Sequence, residues 1–481
     1  MTEEPEESSD LLATYKKDGT QLTITQNNLN GKSNNVENTS SEPPDGGFRA
    51  YLVLIGSFLT NGLLFGVINS FGVIYVDLEK ILVTEGVHNA GTRASLVGSL
   101  AMGTTFFLSP LSGTLTGFLG LRMTAVLGGS LATAGLLLSS FVYKNVDALC
   151  FTYGILYGMG ASLAYTPSLA ILGHYFKKYL GLANGIVCIG SSVFTVIMPA
   201  LIQHMNHQYG LEWMFRVLTV FTFGIALCGL LFKPIALTKI EKPLSEDRCF
   251  KTIVKKILTV EIWLNKKYRY WALSMPVALF GYFVPYIHMK AHIGEVFKNS
   301  DSNLPIQCLA VTSGVGRLLF GYLADKKWVN NIFLQQLSFY IIGTMTIILP
   351  FIGSFPLFVV AVLVMGLFDG AFIALIGPIA ISLCGSQYAA QAIGCMLGMA
   401  APPLSFGPPF AAYLHSVYNS YTIPFVLAGI SPIVGATLMF IIRFQNTPKP
   451  SHPAANGRSA SARNGDIERN LTLRESDPAP L

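Results

Sequence analysis

The chain has 481 residues, of which 51% are hydrophobic and only 12% are charged, and its mean hydropathy is +0.50. A soluble domain carries about 25% charged residues, so this composition excludes an ordinary soluble protein and indicates one that lies in a lipid bilayer. The net charge of +6 comes from Lys and Arg that flank apolar runs without interleaved aromatics, so we expect no nucleic-acid binding.

Apolar runs long enough to cross the hydrocarbon core, which takes about 20 residues in a helix, recur twelve times. The predicted spans 1 to 12 cover residues 50–76, 94–116, 122–142, 148–172, 180–204, 211–233, 270–290, 304–324, 332–353, 356–380, 389–413 and 423–443. They predict an all-α membrane protein with a six-helix bundle at 50–233 and another at 270–443.

Three polar stretches lie outside these spans. Residues 1–49 are acidic and then rich in Ser, Asn and Thr, without a signal-peptide pattern, and residues 444–481 are polar and aperiodic. We predict both as disordered tails, and 234–269 as a central loop. Lys and Arg concentrate in the loops on the side of the tails, including Lys177, Lys178 and much of the central loop, which predicts that both tails and the loop are cytosolic.

Motifs of enzymes and metal sites are absent from the sequence. The seven cysteines lie in spans or in the central loop with no CxxC pair, and there is no P-loop, HExxH or GxSxG. We therefore expect neither an enzyme nor an ATP-driven pump, and no metal or cofactor.

Two ionisable residues lie inside strongly apolar runs: Arg317 in span 8 and Asp369 in span 10. A charge at bilayer depth costs at least about 2.5–3.5 kcal/mol on insertion scales, so it is normally kept for a substrate, a proton or an ion. These two residues are our first candidates for a substrate site.

A short motif recurs at equivalent places in the two sets of spans. Residues 113–117 read GTLTG after span 2, and residues 321–325 read GYLAD after span 8. The second copy resembles the GxLxD motif of the major facilitator superfamily, with Asp325 expected to cap the next helix and, with Lys326, to form a cytosolic gate. The alternative is an ordinary helix end that favours Gly and Asp.

Longer stretches resemble one family, the monocarboxylate transporters. Its two signatures are similar to residues 44–48 (PDGGF) before span 1, and to 171–178 (ILGHYFKK) with 182–185 (LANG) between spans 4 and 5. Residues 281–286, 311–321, 365–370 and 391–394 resemble its aromatic amino acid and thyroid hormone branch. The resemblance implies a major facilitator fold, alternating access around a site at mid-membrane and a plasma-membrane location, and leaves open an accessory single-span membrane protein as partner.

Two departures from the lactate-carrying branch bear on coupling. Lactate carriers of the family hold a proton-coupling lysine where this chain has Ile68, and an aspartate where it has Ser313. We therefore predict proton- and sodium-independent facilitated transport of aromatic amino acids (Trp, Tyr, Phe), with iodothyronines as a further substrate. The thyroid hormone carrier has a histidine at the position of Ile68, which argues against that extension. The alternatives are a proton-coupled carrier of lactate-like acids and a transporter-like sensor.

A zwitterionic amino acid fits the two buried charges. The guanidinium of Arg317 can bind a carboxylate through two parallel hydrogen bonds, and Asp369 can bind the ammonium, replacing a resting Arg317–Asp369 ion pair. The alternative is a purely structural salt bridge between spans 8 and 10. Candidates for aromatic walls are Tyr282, Phe283, Tyr286, Phe368 and Phe372, although any of the 32 phenylalanines could equally face lipid or core.

Three further polar residues are candidates. His288, at the outer end of span 7, matches a histidine of the branch that the resemblance implicates in substrate handling. His174 lies in the second signature at the cytosolic end, where a histidine more often caps a helix. Asn69 in span 1 either lines the path or makes a helix–helix hydrogen bond.

Overall fold

The computed structural model of the chain describes residues 12–17, 20–25, 43–84, 86, 90–234, 260–297, 300–301 and 303–444. Within the predicted N-terminal tail, Leu12–Lys17 (β1) and Thr20–Thr25 (β2) pair as an antiparallel hairpin, which that prediction did not include. The sequence signal for it is the Asp18-Gly19 dipeptide between the strands, a pair that favours two-residue hairpin turns. Most of the predicted tails and of the central loop lies outside the described residues, so those assignments stay predictions.

The rest of the described chain is helical, and each of the twelve predicted spans corresponds to a helix. Spans 1 to 6 are Phe48–Asn69 continued by Phe71–Thr84, Ala90–Phe107 continued by 109–119, 121–142, Val146–Tyr175, 180–209 and 211–231. Spans 7 to 12 are Lys266–Leu279 with Phe283–Val296, Leu304–Ala324, Asn331–Ile348, Phe355–Cys384, Ala389–Tyr418 and Thr422–Met439. The short helix Val260–Leu264 precedes span 7.

When helices separated by short breaks are counted together, the described residues contain ten helical stretches long and apolar enough to cross a membrane. The difference from twelve lies at two glycines inside long helices. Gly120 (φ 81, ψ 161) separates spans 2 and 3, and Gly210 (φ 81, ψ 171) separates spans 5 and 6. A left-handed φ of this kind favours glycine. A straight helix of 52 residues, as Leu180–Leu231 would be, would extend about 78 Å, more than twice a bilayer core.

Asparagine side chains fix several helix starts. Asn145, Asn265 and Asn330 each accept hydrogen bonds from the backbone N–H groups two and three residues ahead, which satisfies donors that the first helical turn leaves free. Asn265 therefore begins span 7 slightly before residue 270, and Asn330 begins span 9.

The two six-helix sets meet along two close helix pairs. In the span 5–8 seam, a Cβ at Gly185 or Gly181 would overlap the backbone carbonyl oxygen of Arg317 or Gly321. In the span 2–11 seam, a Cβ at Gly113 would lie 2.6 Å from the carbonyl oxygen of Ala390. Such approaches are open only to glycine, and they bring the backbones of opposite sets into direct contact at one end of the helical body.

Candidate functional site

Span 7 is interrupted at the depth of the candidate site. Its helix ends at Leu279 and restarts at Phe283, because Pro285 has no N–H to donate and its ring crowds the preceding turn. Ser431 in span 12 bridges the interruption: its hydroxyl accepts from the N–H of Gly281 at 3.1 Å and donates to the carbonyl oxygen of Val277 at 2.6 Å. The interruption places Tyr282 against span 10, where its hydroxyl donates to Asp369.

Asp369 is buried, with 2% of its surface exposed, and two hydroxyls hold its carboxylate. Tyr282 donates to one oxygen and Ser313 in span 8 donates to the other. A buried carboxylate is costly unless it is hydrogen-bonded, and these donors meet that need without neutralising its charge. Asp369 is therefore a buried carboxylate that two neutral donors hold in place.

Arg317 is also buried, at 8% exposure, and it reaches across to the other six-helix set. Its Nη1 donates to the carbonyl oxygen of Cys188 at 2.6 Å and to the hydroxyl of Ser191, both in span 5. Its Nε is buried and has no hydrogen-bond partner among the described residues. An unsatisfied charged donor is unfavourable, so Arg317 has spare capacity to bind an anion.

The predicted resting ion pair between Arg317 and Asp369 is absent from the described residues, whose salt bridges join other groups. The carboxylate of Asp369 accepts hydrogen bonds from two hydroxyls, and the guanidinium of Arg317 donates to span 5 instead. Ser313, which contacts Asp369, lies four residues before Arg317 on the same helix face, so their Cβ positions are one helical turn apart, roughly 6 Å. This arrangement also argues against a purely structural bridge between spans 8 and 10.

Three of the predicted aromatic residues surround Tyr282 and form what we call the aromatic cluster. The ring centroids of Phe283, Tyr286 and Phe372 lie 5.0, 5.2 and 5.5 Å from that of Tyr282. The hydroxyl of Tyr286 is buried beside the hydroxyl of Tyr282 and the carboxylate of Asp369. Phe368 does not join this cluster, because it lies one turn before Phe372 along span 10 and its ring packs on Phe320 at 5.2 Å.

His288 and Asn69 lie at other depths. His288 is six residues beyond Tyr282, about 9 Å along the helix, where its Nε2 lies 3.1 Å from the carbonyl oxygen of Pro408. It belongs to an outer group of rings around Tyr421. Asn69 donates to the hydroxyl of Thr195 at 3.0 Å, one turn along span 5 from Ser191. That contact is the helix–helix hydrogen bond of the alternative interpretation, and it lies close to the Arg317 contact.

The predicted gate differs from expectation in its partners. Asp325 does not cap the next helix, span 9, which Asn330 caps; its two oxygens accept from the N–H groups of Gly181 (2.6 Å) and Leu182 (2.8 Å), at the start of span 5. Burial raises the pKa of Asp325, and those two N–H groups only partly offset this effect. Lys326 does not pair with Asp325, since its Nζ donates to the hydroxyl of Tyr322 at 2.6 Å.

The two signatures meet at the same helix start. Asp45, with φ 53, accepts from the N–H groups of Lys177 (2.6 Å) and Lys178 (2.7 Å), and its own N–H donates to the carbonyl oxygen of Tyr175. His174 occupies the last turn of the short helix Leu172–Tyr175, consistent with a position at a helix end. Two carboxylates, Asp45 and Asp325, thus bind consecutive N–H groups that lead into span 5.

Sequence reasoning missed several residues of this arrangement. Cys188, Ser191 and Ser313 hold the two charges, and Asp45 joins the signatures. Ser313 was noted only for the aspartate that it replaces, and small polar residues in apolar helices carry little signal because many merely satisfy their own backbone. The motif itself contained the signal for Asp45, but its partner required the fold.

The comparisons with known proteins agree with this architecture. The Major Facilitator Superfamily profile matches residues 51–353 and 310–476. Among solved structures, the human organic anion transporter MFSD10 superposes with a TM-score of 0.64 at 13% identity, covering 81% of this chain and 98% of that one. The Escherichia coli fucose:proton symporter gives 0.62 at 13% identity, covering 82% and 100%. These likenesses show the fold.

Sequence relatives are more specific. Monocarboxylate transporter 10 of Danio rerio is 42% identical over 86% of this chain and 82% of its own length, and that of Homo sapiens is 40% identical over 84% and 80%. Monocarboxylate transporter 12 of Xenopus laevis is 26% identical. The chain is a multi-pass membrane transporter of the monocarboxylate transporter family within the major facilitator superfamily, nearer to monocarboxylate transporter 10 than to 12, as its signatures predicted.

Proposed function

We propose that this protein carries aromatic amino acids (Trp, Tyr, Phe) across the plasma membrane by facilitated, proton- and sodium-independent alternating access, with both termini cytosolic. The observation that carries the proposal is the separation of Arg317 and Asp369, each buried and each held by neutral groups instead of by the other. A zwitterion supplies one countercharge to each, so its binding neutralises both buried charges at once.

The substrate carboxylate binds Arg317, whose Nε lacks a partner and whose Nη1 can exchange its span 5 acceptors for the carboxylate. The ammonium binds Asp369, and the buried hydroxyl of Tyr286 lies beside that carboxylate in the same cluster. The aromatic cluster supplies apolar walls for the ring of the substrate. Because Arg317 otherwise binds span 5, this exchange links substrate binding to a contact between the two six-helix sets.

The close seams support an outward-facing arrangement. Asp325, Gly181 and Gly113 lie at the ends of the spans that the positive charges assign to the cytosol, and there the sets touch backbone to backbone. Near the other end, a Cβ at Gly103 would lie no closer than 3.9 Å to Ser405 across the sets. In this arrangement the substrate enters from outside, past His288.

Proton independence follows from two side chains. Ile68 is buried and has no group to titrate, and Ser313 is a hydroxyl donor to Asp369 where the lactate carriers have a carboxylate. Iodothyronines also carry an amino acid group and aromatic rings, so we include them in the proposal as larger substrates of the same class.

The test is uptake of labelled tryptophan, tyrosine and lactate at neutral and mildly acidic pH by cells that express the chain. We expect tryptophan and tyrosine uptake that follows the solute gradient and is insensitive to pH and sodium. Arg317→Lys keeps the charge but loses the two-pronged geometry, and loss of a charged hydrogen bond of about 1.5–3 kcal/mol predicts at least a tenfold lower uptake efficiency.

Three variants sharpen the assignment. Tyr286→Phe removes only a hydroxyl and should weaken amino acid uptake, whereas Phe368→Leu, outside the cluster, should leave it near wild type. Arg93→Gln removes an exposed arginine and controls for net charge. Lactate uptake that rises in acid would replace the proposal with a proton-coupled carrier, and absence of flux for all three solutes would favour a sensor.

A further inference from the structure

A cavity lies away from the candidate site, where spans 1, 3 and 6 reach the predicted cytosolic side. Its volume is about 190 Å³, well above the ~10–15 Å³ that one water needs. It is open to the outside of the helical body. Basic and aliphatic side chains line it together: Arg49, Leu52, Arg122, Leu230, Leu231 and Lys233.

The three basic side chains come from three different spans and converge on one space. Arg49 lies one residue after the start of span 1, Arg122 follows the Gly120 turn at the start of span 3, and Lys233 follows the end of span 6. Within the part of the chain that the structure describes, none of them forms an ion pair with a carboxylate. Three like charges around one cavity repel one another, so an anion between them is favoured.

The rim of the cavity is apolar on its outer side. Phe48 is 81% exposed and Tyr51 is 56% exposed at the start of span 1, and Leu230 and Leu231 are exposed at the end of span 6. Aromatic side chains at a helix end are typical of the membrane–water interface, and exposed leucines beside them face hydrocarbon. A ligand in this cavity would contact basic side chains at one end, and its other end would lie in the hydrocarbon of the bilayer.

We propose that this cavity is a binding site for an anionic glycerophospholipid of the cytosolic leaflet. The phosphate and any further negative group bind Arg49, Arg122 and Lys233, and the acyl chains extend along Leu52, Leu230 and Leu231. A volume below the roughly 300 Å³ of small-molecule sites suits a headgroup whose tails remain in the bilayer. The bound lipid ties the start of span 1 to the ends of spans 3 and 6, all in the first six-helix set.

The test uses the purified full chain in nanodiscs of phosphatidylcholine alone or with one fifth phosphatidylserine. Retained lipid is counted by native mass spectrometry, and thermal unfolding is followed in the same samples. We expect phosphatidylserine to be retained and to raise the unfolding temperature. Arg122→Gln should lower its retention at least fivefold and remove most of the thermal shift.

The matched control is Lys327→Gln, which removes one exposed positive charge on the same predicted membrane face but outside the cavity. Lys233→Gln is a second cavity variant, in an exposed position after a helix end, for the case that Arg122→Gln unfolds. Glycerol 3-phosphate added to phosphatidylcholine nanodiscs should give little protection, because it lacks the acyl chains.

Three outcomes would overturn the proposal. Equal loss of phosphatidylserine in Arg122→Gln, Lys233→Gln and Lys327→Gln would mean diffuse attraction to a positive surface. Protection by glycerol 3-phosphate equal to that by the lipid would assign the cavity to a soluble phosphate. A thermal shift that appears only after deletion of the acidic residues 1–42 would assign it to the chain's own carboxylates.

Discussion

The two seams that join the six-helix sets are equivalent in the internal repeat but differ in chemistry. In the span 5–8 seam, Asp325 at the end of span 8 binds the N–H groups that begin span 5. In the span 2–11 seam, the equivalent position is Gly117, beside Gln391 near the beginning of span 11. Both seams rely on close glycine contacts, but only one adds a carboxylate.

Closure at this end therefore has a packing component and an ionisable component, and the two act at different positions. Packing acts in both seams, through Gly185 and Gly113. The ionisable component acts only where Asp325 meets span 5. The thiol of Cys188, buried in the span 5–8 seam, reports on both. In a variant with Cys188 as the sole cysteine, its alkylation rate measures how often the seam opens.

The largest effect on the alkylation rate of Cys188 is expected for Gly185→Ala. The added methyl would overlap the backbone carbonyl of Arg317, and such overpacking typically costs about 1–3 kcal/mol. Alkylation of Cys188 should accelerate about tenfold or more. Gly314→Ala in the partner helix is the control, since its Cβ would lie 3.5 Å from Ser192, an ordinary contact. Equal rates in both variants would show that this seam is not tightly closed.

A somewhat smaller effect is expected for Asp325→Ala. It leaves the N–H groups of Gly181 and Leu182 without acceptors, which costs about 1–2 kcal/mol where they are shielded from water, and alkylation should accelerate about five- to tenfold. Asp325→Asn keeps an acceptor and should stay near wild type. If alanine and asparagine behave alike, the charge matters and the hydrogen bonds do not.

Gly117→Asp should transfer the carboxylate to the other seam. A Cβ there would approach only the flexible end of Gln391, at 2.7 Å, and an anion beside the start of span 11 is worth about 0.3–1 kcal/mol. We expect alkylation of Cys188 to slow about two- to fivefold, with Gly117→Asn as the uncharged control. Faster alkylation would mean that the glycine is required for packing.

The smallest effect on Cys188 alkylation is expected from a change in pH on the cytosolic side. The pKa of Asp325 is raised in the closed seam, so protonation favours closure: this contribution is present at low pH and is lost as pH rises through the raised pKa. The ratio of Cys188 alkylation in wild type to that in Asp325→Asn should therefore increase with pH, whereas thiol ionisation cancels in the ratio. A ratio that decreases with pH would contradict the burial effect.

The sequence predicted the number of spans and the two buried charges, because apolar length and an isolated charge are local signals. It did not predict that Arg317 turns to Cys188 and Ser191, because the choice between acceptors in different helices depends on their packing. The same limit explains Asp325. Its motif indicated a helix cap, but the capped helix is 144 residues away from it in sequence at Gly181.

The aromatic candidates also show what the sequence alone could not predict. Phe368 and Phe372 are four residues apart on one face of span 10, but only Phe372 reaches Tyr282, since Phe368 lies one turn away and packs on Phe320. Helical spacing could not have separated them, because it places both rings on the same face and the difference depends on which neighbours each depth of the span meets. The hairpin in the tail was missed because overall composition was weighed above a two-residue turn signal.

The one-residue turns at Gly120 and Gly210 have a consequence for biogenesis. Almost no connecting chain separates span 2 from span 3, or span 5 from span 6. One helix of such a pair therefore cannot insert into the bilayer while the other remains in water. Each pair should enter the membrane as a unit during synthesis. A spacer inserted after Gly120 would uncouple its pair, and misoriented protein would then appear before any loss of transport by correctly inserted molecules.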